Sequence, residues 1–278
     1  MSSGAAPLSW PRKLRAVAVI PARLASTRLP RKMLLARTGR PLFAHTADAV
    51  ARCADVERVL VATDAPEILA AARAAGIEAV LTRADHASGT DRVHEAYQGL
   101  RAAGESYDVV LDVQGDEPDV APGDLAALVG AFADQRVEIA TLWAPFAHVE
   151  EARGPNAVKV VLDARGDALY FSRAPLPDGS HVRPGAEPAG PKRHVGVYAF
   201  RPDALARFCA LPRGSLEQTE NLEQLRWLEA GGRIRVLAAR HVPVGIDTAE
   251  DYERFVARVS SSPSPPASTP TSTPRGPG

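Results

Sequence analysis

Short apolar runs that alternate with longer, alanine-rich segments constrain the fold of this chain more than any other feature. The runs are "RAVAVI", "RVLVAT", "IEAVLT" and "DVVLDVQ", and the segments that follow them span 41–53, 66–75, 90–102 and 122–134. Continuous apolar runs are typical of strands that are buried on both faces. A repeated strand and helix favours a parallel sheet with helices on both sides. The sequence therefore predicts an α/β fold with a doubly wound, mainly parallel sheet.

This pattern changes after about residue 145. The stretch 156–173 predicts two strands joined by a tight turn, and "RHVGVYAFR" predicts another strand. Residues 216–230 have the leucine spacing of a helix, 234–238 predict a strand, and a last helix is predicted to start near Thr248. We expect the inserted β region to lie over one edge of the sheet, as a lid or a dimerisation surface.

The two ends of the chain differ in composition from the part between them. Residues 260–278 are almost entirely Ser, Pro, Thr and Gly, which bury too little apolar surface to offset the entropy of ordering. Residues 1–13 contain two prolines and have no hydrophobic periodicity. We therefore expect a flexible leader at 1–13, one folded domain at 14–259 and a disordered tail at 260–278. Removal of the tail should change neither activity nor melting temperature.

Charge and cysteine content exclude several classes of function. Lys and Arg together number 33, as do Asp and Glu, so no overall field attracts nucleic acid or an anionic membrane. Cys53 and Cys209 are far apart and lack the spacing of a zinc site or a disulfide framework. No apolar run approaches the roughly 18 residues of a membrane helix, and the first residues lack the core of a secretory signal. We expect a cytoplasmic protein with no membrane insertion and no nucleic-acid partner.

Charged residues follow the predicted strands, where ligands bind in open α/β sheets. The loop "RLASTRLPRK" after the first strand holds Arg23, Arg28, Arg31 and Lys32. Such a set of cations suits a polyphosphate, because guanidinium forks and an ammonium group bind several phosphate oxygens. The glycine-rich motifs of P-loop and dinucleotide-binding proteins are absent from the sequence. A cluster of solvated surface charges remains an equally simple explanation of the basic residues alone.

Two acidic residues strengthen the phosphate interpretation. Asp116 lies in "QGDEP", directly after the fourth predicted strand, and Asp247 lies in "GIDTAEDY", before the last predicted helix. Mg²⁺ binds few protein carboxylates and keeps substrate phosphates as ligands. Each acid alone is more simply explained as a cap of a turn or a helix. Together with the basic loop, they favour metal-assisted phosphoryl chemistry.

Seven segments in one order carry a family resemblance over about residues 15–258. They are "VIPARLASTRLPRK", "TRADHASGTDR", "VQGDEP", "NAVKVVLDARGDALYFSR", "RHVGVYAFR", "ENLEQLRWLEAG" and "VGIDTAEDY". This set resembles the 3-deoxy-manno-octulosonate (Kdo) cytidylyltransferases, or CMP-Kdo synthetases. The resemblance implies a homodimeric, Mg²⁺-dependent nucleotidyltransferase with a Rossmann-like domain. It also implies the reaction, in which the anomeric hydroxyl of Kdo receives CMP from CTP and pyrophosphate is released, in lipopolysaccharide biosynthesis.

The resemblance also implies roles for individual residues. The implied catalytic residues are Arg23, Lys32 and Asp116, and the metal ligands are Asp116 and Asp247. Further implied CTP-binding residues are Arg28, Arg83, Ser88 and Gln114. The implied Kdo-binding residues are Arg173, His194, Tyr198, Glu223 and Gln224, with Asn156 and Lys159 nearby. Taken singly, each has a simple structural explanation, such as a satisfied strand histidine, and only the family pattern favours function.

The chain departs from that pattern at several positions. Arg31 precedes the loop lysine where the family commonly has glycine, which matters if the position needs a positive φ. Ala249 stands where proline is usual, and the Gly- and Pro-rich segment 178–193 is unlike the family near the sugar. Two alternatives therefore stay open. One is a cytidylyltransferase for a related keto-acid sugar, such as sialic acid or amino-Kdo, that differs around 173–198. The other is a non-catalytic nucleotide-binding or sugar-sensing protein on the same fold.

Overall fold

One mixed sheet with helices on both faces forms the framework of the chain. A computed structural model describes residues 12–183, 185–186 and 189–261. The predicted leader at 1–13 and the predicted tail at 260–278 therefore lie almost wholly outside the described residues. Within those residues, the sheet contains nine strands, and no helix combines the length and apolar character needed to cross a membrane.

The first half of the chain forms the parallel part of the sheet, as predicted. Its elements are β1 (Ala16–Ala22), α1 (Leu42–Ala51), β2 (Arg58–Thr63), α2 (Pro66–Ala74), β3 (Ala79–Leu81), α3 (Gly89–Ala102), β4 (Val109–Asp112) and α4 (Pro122–Ala131). The strands lie in the order β3, β2, β1, β4 and pair in parallel. All seven residues of β1 are buried. This burial explains why the strand reads as a continuous apolar run.

Alternate residues of β1 pack on opposite faces of the sheet. Ala18 and Ile20 belong to a core shared with α1, α2 and α4. Val17 and Val19 belong to a second core, which includes residues of α3. The doubly wound prediction is therefore confirmed.

The second half of the chain adds antiparallel strands to the sheet. Its strands are β5 (Ile139–Pro145), β6 (Lys159–Leu162), β7 (Ala168–Ser172), β8 (Lys192–Phe200) and β9 (Arg235–Ala238). The hairpin of β6 and β7 is attached beside β8 and lies off the main strand order, as an insertion should. The placement of "RHVGVYAFR" over an edge is wrong, because β8 lies inside the sheet, antiparallel to both β4 and β5.

The helices of the second half are α5 (Pro202–Ala210), α6 (Ser215–Glu220), α7 (Leu225–Glu229) and α8 (Ala249–Ser261). The single helix predicted at 216–230 is broken at Asn221, whose φ of 51° is left-handed. Asn adopts this conformation more readily than most residues. The break places Glu223 and Gln224 between α6 and α7. Helix α8 starts after Thr248, whose Oγ1 accepts a hydrogen bond from the Asp251 N–H at 3.1 Å.

Candidate nucleotide and sugar site

A cavity of ≈ 450 Å³ opens at the carboxyl ends of β1 and β4. This volume lies within the range of about 300–1,000 Å³ that is usual for small-molecule sites. Residues of the basic loop, the start of α3, the turn after β4 and the segment before α8 line the cavity. They are Pro21, Arg23, Ala25, Ser26, Thr27, Arg28, Lys32, Met33, Gly89, Gln114, Asp116 and Asp247. The structure thus brings most of the predicted CTP and metal residues together.

A larger cavity of ≈ 640 Å³ lies at the opposite ends of the strands, between α3 and α5. Its cations are largely engaged: the Arg201 guanidinium donates to the carbonyls of Val137 and Phe132, each at 2.9 Å, and Arg207 pairs with Glu138. Asp108 also lines it. The smaller cavity at the carboxyl ends is therefore the better candidate site.

Lys32 holds the two predicted metal ligands together. Its ammonium group donates to Asp116 Oδ2, to Asp247 Oδ1 at 3.2 Å and to the Ile246 carbonyl at 3.1 Å. The Lys32 side chain is only 12% exposed. Burial alone would lower the pKa of Lys32, but Asp116 and Asp247 outweigh it and raise the pKa above its ordinary value. The lysine therefore stays charged and pairs with both acids, and Arg28 supplies a second positive charge to Asp247.

The backbone before Lys32 adopts the conformation that glycine would favour. Arg31 has φ 54° and ψ 28°, in the left-handed region, and a short 3₁₀ turn follows from Lys32. The position does need a positive φ, and an arginine tolerates it at a cost of about 1 kcal/mol. The loop conformation that directs Lys32 at the acids is thus formed without glycine.

The turn that carries Asp116 is packed closely against the basic loop. A Cβ atom on Gly115 would come within 2.9 Å of Met33 Sδ and 3.2 Å of the Pro21 carbonyl. The Gly115 carbonyl accepts a hydrogen bond from Thr46 Oγ1 of α1 at 2.9 Å. The Ile246 N–H donates to the Asp116 carbonyl at 2.9 Å. These contacts fix the two acid-bearing segments side by side.

Asp116 and Asp247 fit a magnesium ion that arrives with a nucleotide. Their carboxylates converge on one cation, the Lys32 ammonium group, at the edge of the cavity. Among the described residues, no group of three or more His, Cys, Asp and Glu side chains is suited to a metal ion. Mg²⁺ is commonly bound by one or two carboxylates together with substrate phosphates and water. The donor set therefore suits a shared site rather than a metal cage built by the protein alone.

The other predicted CTP residues differ in their surroundings. Arg23 lines the cavity and makes no hydrogen bond or ion pair with the residues that the structure describes. Ser88 caps α3, accepting the Asp91 N–H at 3.1 Å. Arg83 lies outside the cavity lining, with a side chain that is 67% exposed and bonded to Asp85 at 2.7 and 2.9 Å. The structure thus separates Arg83 from the predicted CTP-binding residues that line the cavity.

A second polar cluster contains most of the predicted Kdo-binding residues. Tyr198 Oη, Glu223 Oε1 and Gln224 Nε2 are buried and find no hydrogen-bond partner in the described part of the chain. In proteins, the large majority of buried side-chain polar atoms have a hydrogen-bond partner. His194, whose ring centroid lies 5.4 Å from that of Tyr198, has its pKa lowered to about 3 by burial and is therefore neutral. A polar ligand would satisfy the unpaired atoms.

Arg173 and Lys159 lie beside this cluster but bind the backbone. The Arg173 guanidinium donates to the carbonyls of Glu220 at 2.8 Å and Pro155 at 3.0 Å. Lys159 is fully buried, and its ammonium group donates to the carbonyls of Gly154, Ala157 and Arg173. In this structure both side chains tie the β6–β7 hairpin to its neighbours.

Sequence reasoning missed Asp112 and Thr90, which lie between the cavity and the second cluster. Asp112, the last residue of β4, is only 1% exposed. Burial, together with the nearby Glu223, raises the pKa of Asp112 to about 7. The one signal in the sequence is an acid at the end of an apolar run, two positions before Gln114.

Comparison with known proteins agrees with this geometry. The family described as "Cytidylyltransferase" matches residues 17–234. The 3-deoxy-manno-octulosonate cytidylyltransferase of Nitratidesulfovibrio vulgaris (strain DP4) is 48% identical over 238 residues, which cover 86% of this chain and 93% of that protein. The enzyme of the same description from Rhodopseudomonas palustris (strain BisA53) is 49% identical over 240 residues, with 84% and 93% covered.

A solved structure of CMP:2-keto-3-deoxy-manno-octonic acid synthetase in complex with CTP superimposes with a TM-score of 0.80. The two chains are 40% identical, and the match covers 88% of this chain and 98% of the other. From the cation-lined cavity, the paired acids and these similarities we conclude that the chain belongs to the cytidylyltransferase family, as a member of its 3-deoxy-manno-octulosonate cytidylyltransferases.

Proposed function

We propose that the protein transfers CMP from CTP to the anomeric hydroxyl of Kdo and releases pyrophosphate. The observation that carries this proposal is the junction of a cation-lined cavity with a pair of acids held by Lys32. The relatives named above are described as enzymes of this reaction, and one was solved with CTP. The neighbouring cluster of unpaired polar atoms supplies the partners that a polyhydroxylated acid needs.

In the proposed reaction the anomeric oxygen of Kdo bonds to the α-phosphorus of CTP, the bond to the β-phosphate oxygen breaks, and the hydroxyl proton is released. Such a displacement needs orientation and neutralisation of charge more than covalent help. Arg23, Arg28 and Lys32 would bind the triphosphate and stabilise the departing pyrophosphate. Asp116 and Asp247 would hold Mg²⁺, which when bound supplies further positive charge at the phosphates. Gln114 and the start of α3 would form the wall on the nucleoside side.

The proposed Kdo site is the cluster around Tyr198 and Glu223. The neutral His194 imidazole can donate one hydrogen bond and accept another, and the Gln224 amide can donate to a hydroxyl or a carboxylate. Arg173 lies beside the cluster and would reach the sugar carboxylate only by leaving its backbone carbonyls. We therefore propose Tyr198, Glu223 and Gln224 as side chains that contact the sugar.

The direct test is release of pyrophosphate from CTP and Mg²⁺ with Kdo, with sialic acid and with no sugar. Release with Kdo alone supports the proposal. Release only with sialic acid would keep the chemistry and replace the sugar. Binding of CTP with no release for any sugar would favour the non-catalytic alternative.

A substitution of Tyr198 sharpens this test. Because Tyr198 Oη has no partner among the described residues, Tyr198→Phe should leave the fold and the KM for CTP unchanged but raise the KM for Kdo. Tyr107→Phe is the matched control, since the Tyr107 hydroxyl donates to Glu105 at 2.8 Å away from the cavity. If both variants bind Kdo equally well, Tyr198 does not contact the sugar.

We further propose a homodimer that forms through the β6–β7 hairpin. Leu169 of this hairpin is 60% exposed, more than any other large apolar side chain of the described residues. Light scattering should give a dimer for the wild type and a monomer for Leu169→Glu. The control Leu81→Glu changes a leucine that is 48% exposed on β3, and this variant should remain dimeric. A monomeric wild type would refute the proposal.

A further inference from the structure

A chain of hydrogen bonds joins the nucleotide cavity to the proposed sugar cluster. Gln114 lines the cavity, and its Nε2 donates to Asp112 Oδ1 at 2.7 Å. Thr90 Oγ1 lies 3.2 Å from Asp112 Oδ2 and 3.0 Å from Glu223 Oε2. Asp112 and Thr90 are both buried. Residues of β4, α3 and the α6–α7 junction thus form one connected network.

The network favours a proton on one of its two carboxyl groups. The Thr90 hydroxyl has one hydrogen to donate but lies within bonding distance of two carboxyl oxygens. Both bonds form at full strength only if one carboxyl group donates to Thr90, because a single hydrogen shared between two acceptors gives a weaker three-centre bond. Burial raises the pKa of Glu223 as well, but the Arg226 guanidinium, 3.8 Å away, favours its ionised form. Asp112 is the more deeply buried of the two, so the proton belongs on Asp112 Oδ2.

This arrangement determines the orientation of Gln114. With Asp112 Oδ2 directed at Thr90, Oδ1 accepts from the Gln114 amide nitrogen. The carboxamide oxygen of Gln114 accepts no hydrogen bond from the residues described by the structure. The carboxamide also lies close to the start of α3, since a Cβ atom added to Gly89 would make van der Waals contact with both Gln114 Nε2 and Oε1 at 3.4 Å. The carboxamide is therefore held with an unused acceptor at the cavity wall.

The geometry points to Asp112 as a positioning residue, which with Thr90 fixes the Gln114 carboxamide so that its oxygen accepts a hydrogen bond from the bound nucleotide. The inference rests on the proposed function only in placing a cytidine nucleotide in the cavity. The donor is an N–H or O–H group of the nucleoside, which is either the exocyclic amino group of cytosine or a ribose hydroxyl. The Asp112 side chain itself does not touch the nucleotide.

Substitutions at both positions test this coupling through CTP affinity, measured by calorimetry without any sugar. Asp112→Val and Gln114→Met should each weaken CTP binding about tenfold, the effect of one lost hydrogen bond. The double variant should lose no more than either single variant, because Asp112 acts through Gln114. A loss of about a hundredfold in the double variant, or none in Asp112→Val, would overturn the inference. Asp112→Ser, which is too short to reach Gln114, takes the place of valine if that variant does not fold.

Asp112→Asn separates hydrogen bonding from charge. The Asn oxygen can accept from Gln114 and its nitrogen can donate to Thr90, as the protonated acid does. This variant should therefore bind CTP within about twofold of the wild type, a difference well under one hydrogen bond. A loss as large as that of Asp112→Val would overturn the inference. Asp108→Val, at the residue directly before the start of β4, is the control and should bind CTP normally.

Binding of UTP and dCTP identifies the donor. If the cytosine amino group donates, Gln114→Met and Asp112→Val lose discrimination against UTP; if a ribose hydroxyl donates, they lose discrimination against dCTP. Unchanged discrimination against both would overturn the inference. These measurements use no sugar, so a wild type that binds CTP but does not turn over Kdo would refute the proposed function and leave this inference testable. A wild type that does not bind CTP would refute both.

Discussion

Replacement of Lys32 by methionine tests the central contact of the site, because it removes the ammonium group and keeps an unbranched side chain of similar length. The lost bonds are those to Asp116, Asp247 and the Ile246 carbonyl. Asp247 is 44% exposed and keeps Arg28 at 2.8 Å, so solvent and that arginine compensate for much of its loss. Asp116 is only 21% exposed and pairs with no second cation among the residues that the structure describes. The main cost is therefore one charge-assisted hydrogen bond, about 2 kcal/mol of unfolding free energy.

That loss should be visible in the melting temperature. For a domain of this size, about 2 kcal/mol corresponds to a decrease of roughly 4–8 °C. Turnover should also fall, since loss of one cation at the transferring phosphate costs about 10²-fold in kcat/KM for CTP. The free protein should bind Mg²⁺ more tightly by at least about tenfold, because no ammonium group competes for the two carboxylates. Tighter metal binding with slower turnover is a combination that a merely damaged fold would not give.

Calorimetric titration with MgCl₂ at constant ionic strength, without nucleotide, measures the metal affinity, and thermal unfolding measures stability. Lys13→Met is the matched control, because Lys13 is 66% exposed and pairs with Asp55 at 3.5 Å on the surface. This control should change the unfolding free energy by less than about 0.5 kcal/mol. Equal Mg²⁺ affinity and equal melting temperature in Lys32→Met and the wild type would refute the view that Lys32 neutralises the acid pair.

Other predictions concern single residues. Asp116→Asn should abolish metal-dependent turnover but keep the fold, as judged by circular dichroism; a near-normal rate would remove Asp116 from the metal site. Arg23→Ala should raise the KM for CTP about tenfold. Arg83→Ala should change it less than about threefold, because the Arg83 guanidinium pairs with Asp85 on the surface. Equal effects of the two substitutions would contradict the assignment of Arg23, rather than Arg83, to the nucleotide cavity. Asp112 binds its proton more tightly in the folded than in the unfolded chain, because its pKa is raised from 3.8 to about 7. The proton on Asp112 therefore stabilises the folded chain fully at low pH, and this contribution is lost as pH rises from about 4 to 7. Over that range, the unfolding free energy of Asp112→Asn, measured by urea unfolding, should rise relative to that of the wild type by up to roughly 4 kcal/mol. A pH-independent difference would show that Asp112 is already ionised.

The first half of the fold could be predicted because its signal is local. Strands buried on both faces need continuous apolar runs, and the four runs in the first half correspond to β1 through β4. The helix α5 was missed although Pro202 at its start and the spacing of Leu205 and Phe208 are helix signals. The break at Asn221 was also missed, because leucine spacing continues through it and only the tolerance of Asn for positive φ marks it.

The candidate site divides in the same way. The combination of a basic loop with Asp116 and Asp247 predicted the proposed triphosphate site. The proposed sugar residues were predicted only by resemblance, because no local pattern distinguishes a buried ligand contact from a buried core residue. Asp112 was not found at all, since a protonated acid at the end of an apolar strand leaves no periodic signal. Its role depends on partners that are 22 and 111 positions away in the sequence.

The antiparallel strand β8 explains why these two halves of the site meet. In a purely parallel sheet, β5 would lie beside β4 and carry another strand end to the cavity. Instead β8 lies between them and pairs Tyr198 directly with Asp112. This register brings Tyr198, a proposed sugar contact, next to the strand end that carries Gln114 and Asp116, so that the two proposed substrate sites share one edge of the sheet. The strand that the sequence pattern placed over an edge is therefore the element that would bring the two substrates together in the proposed reaction.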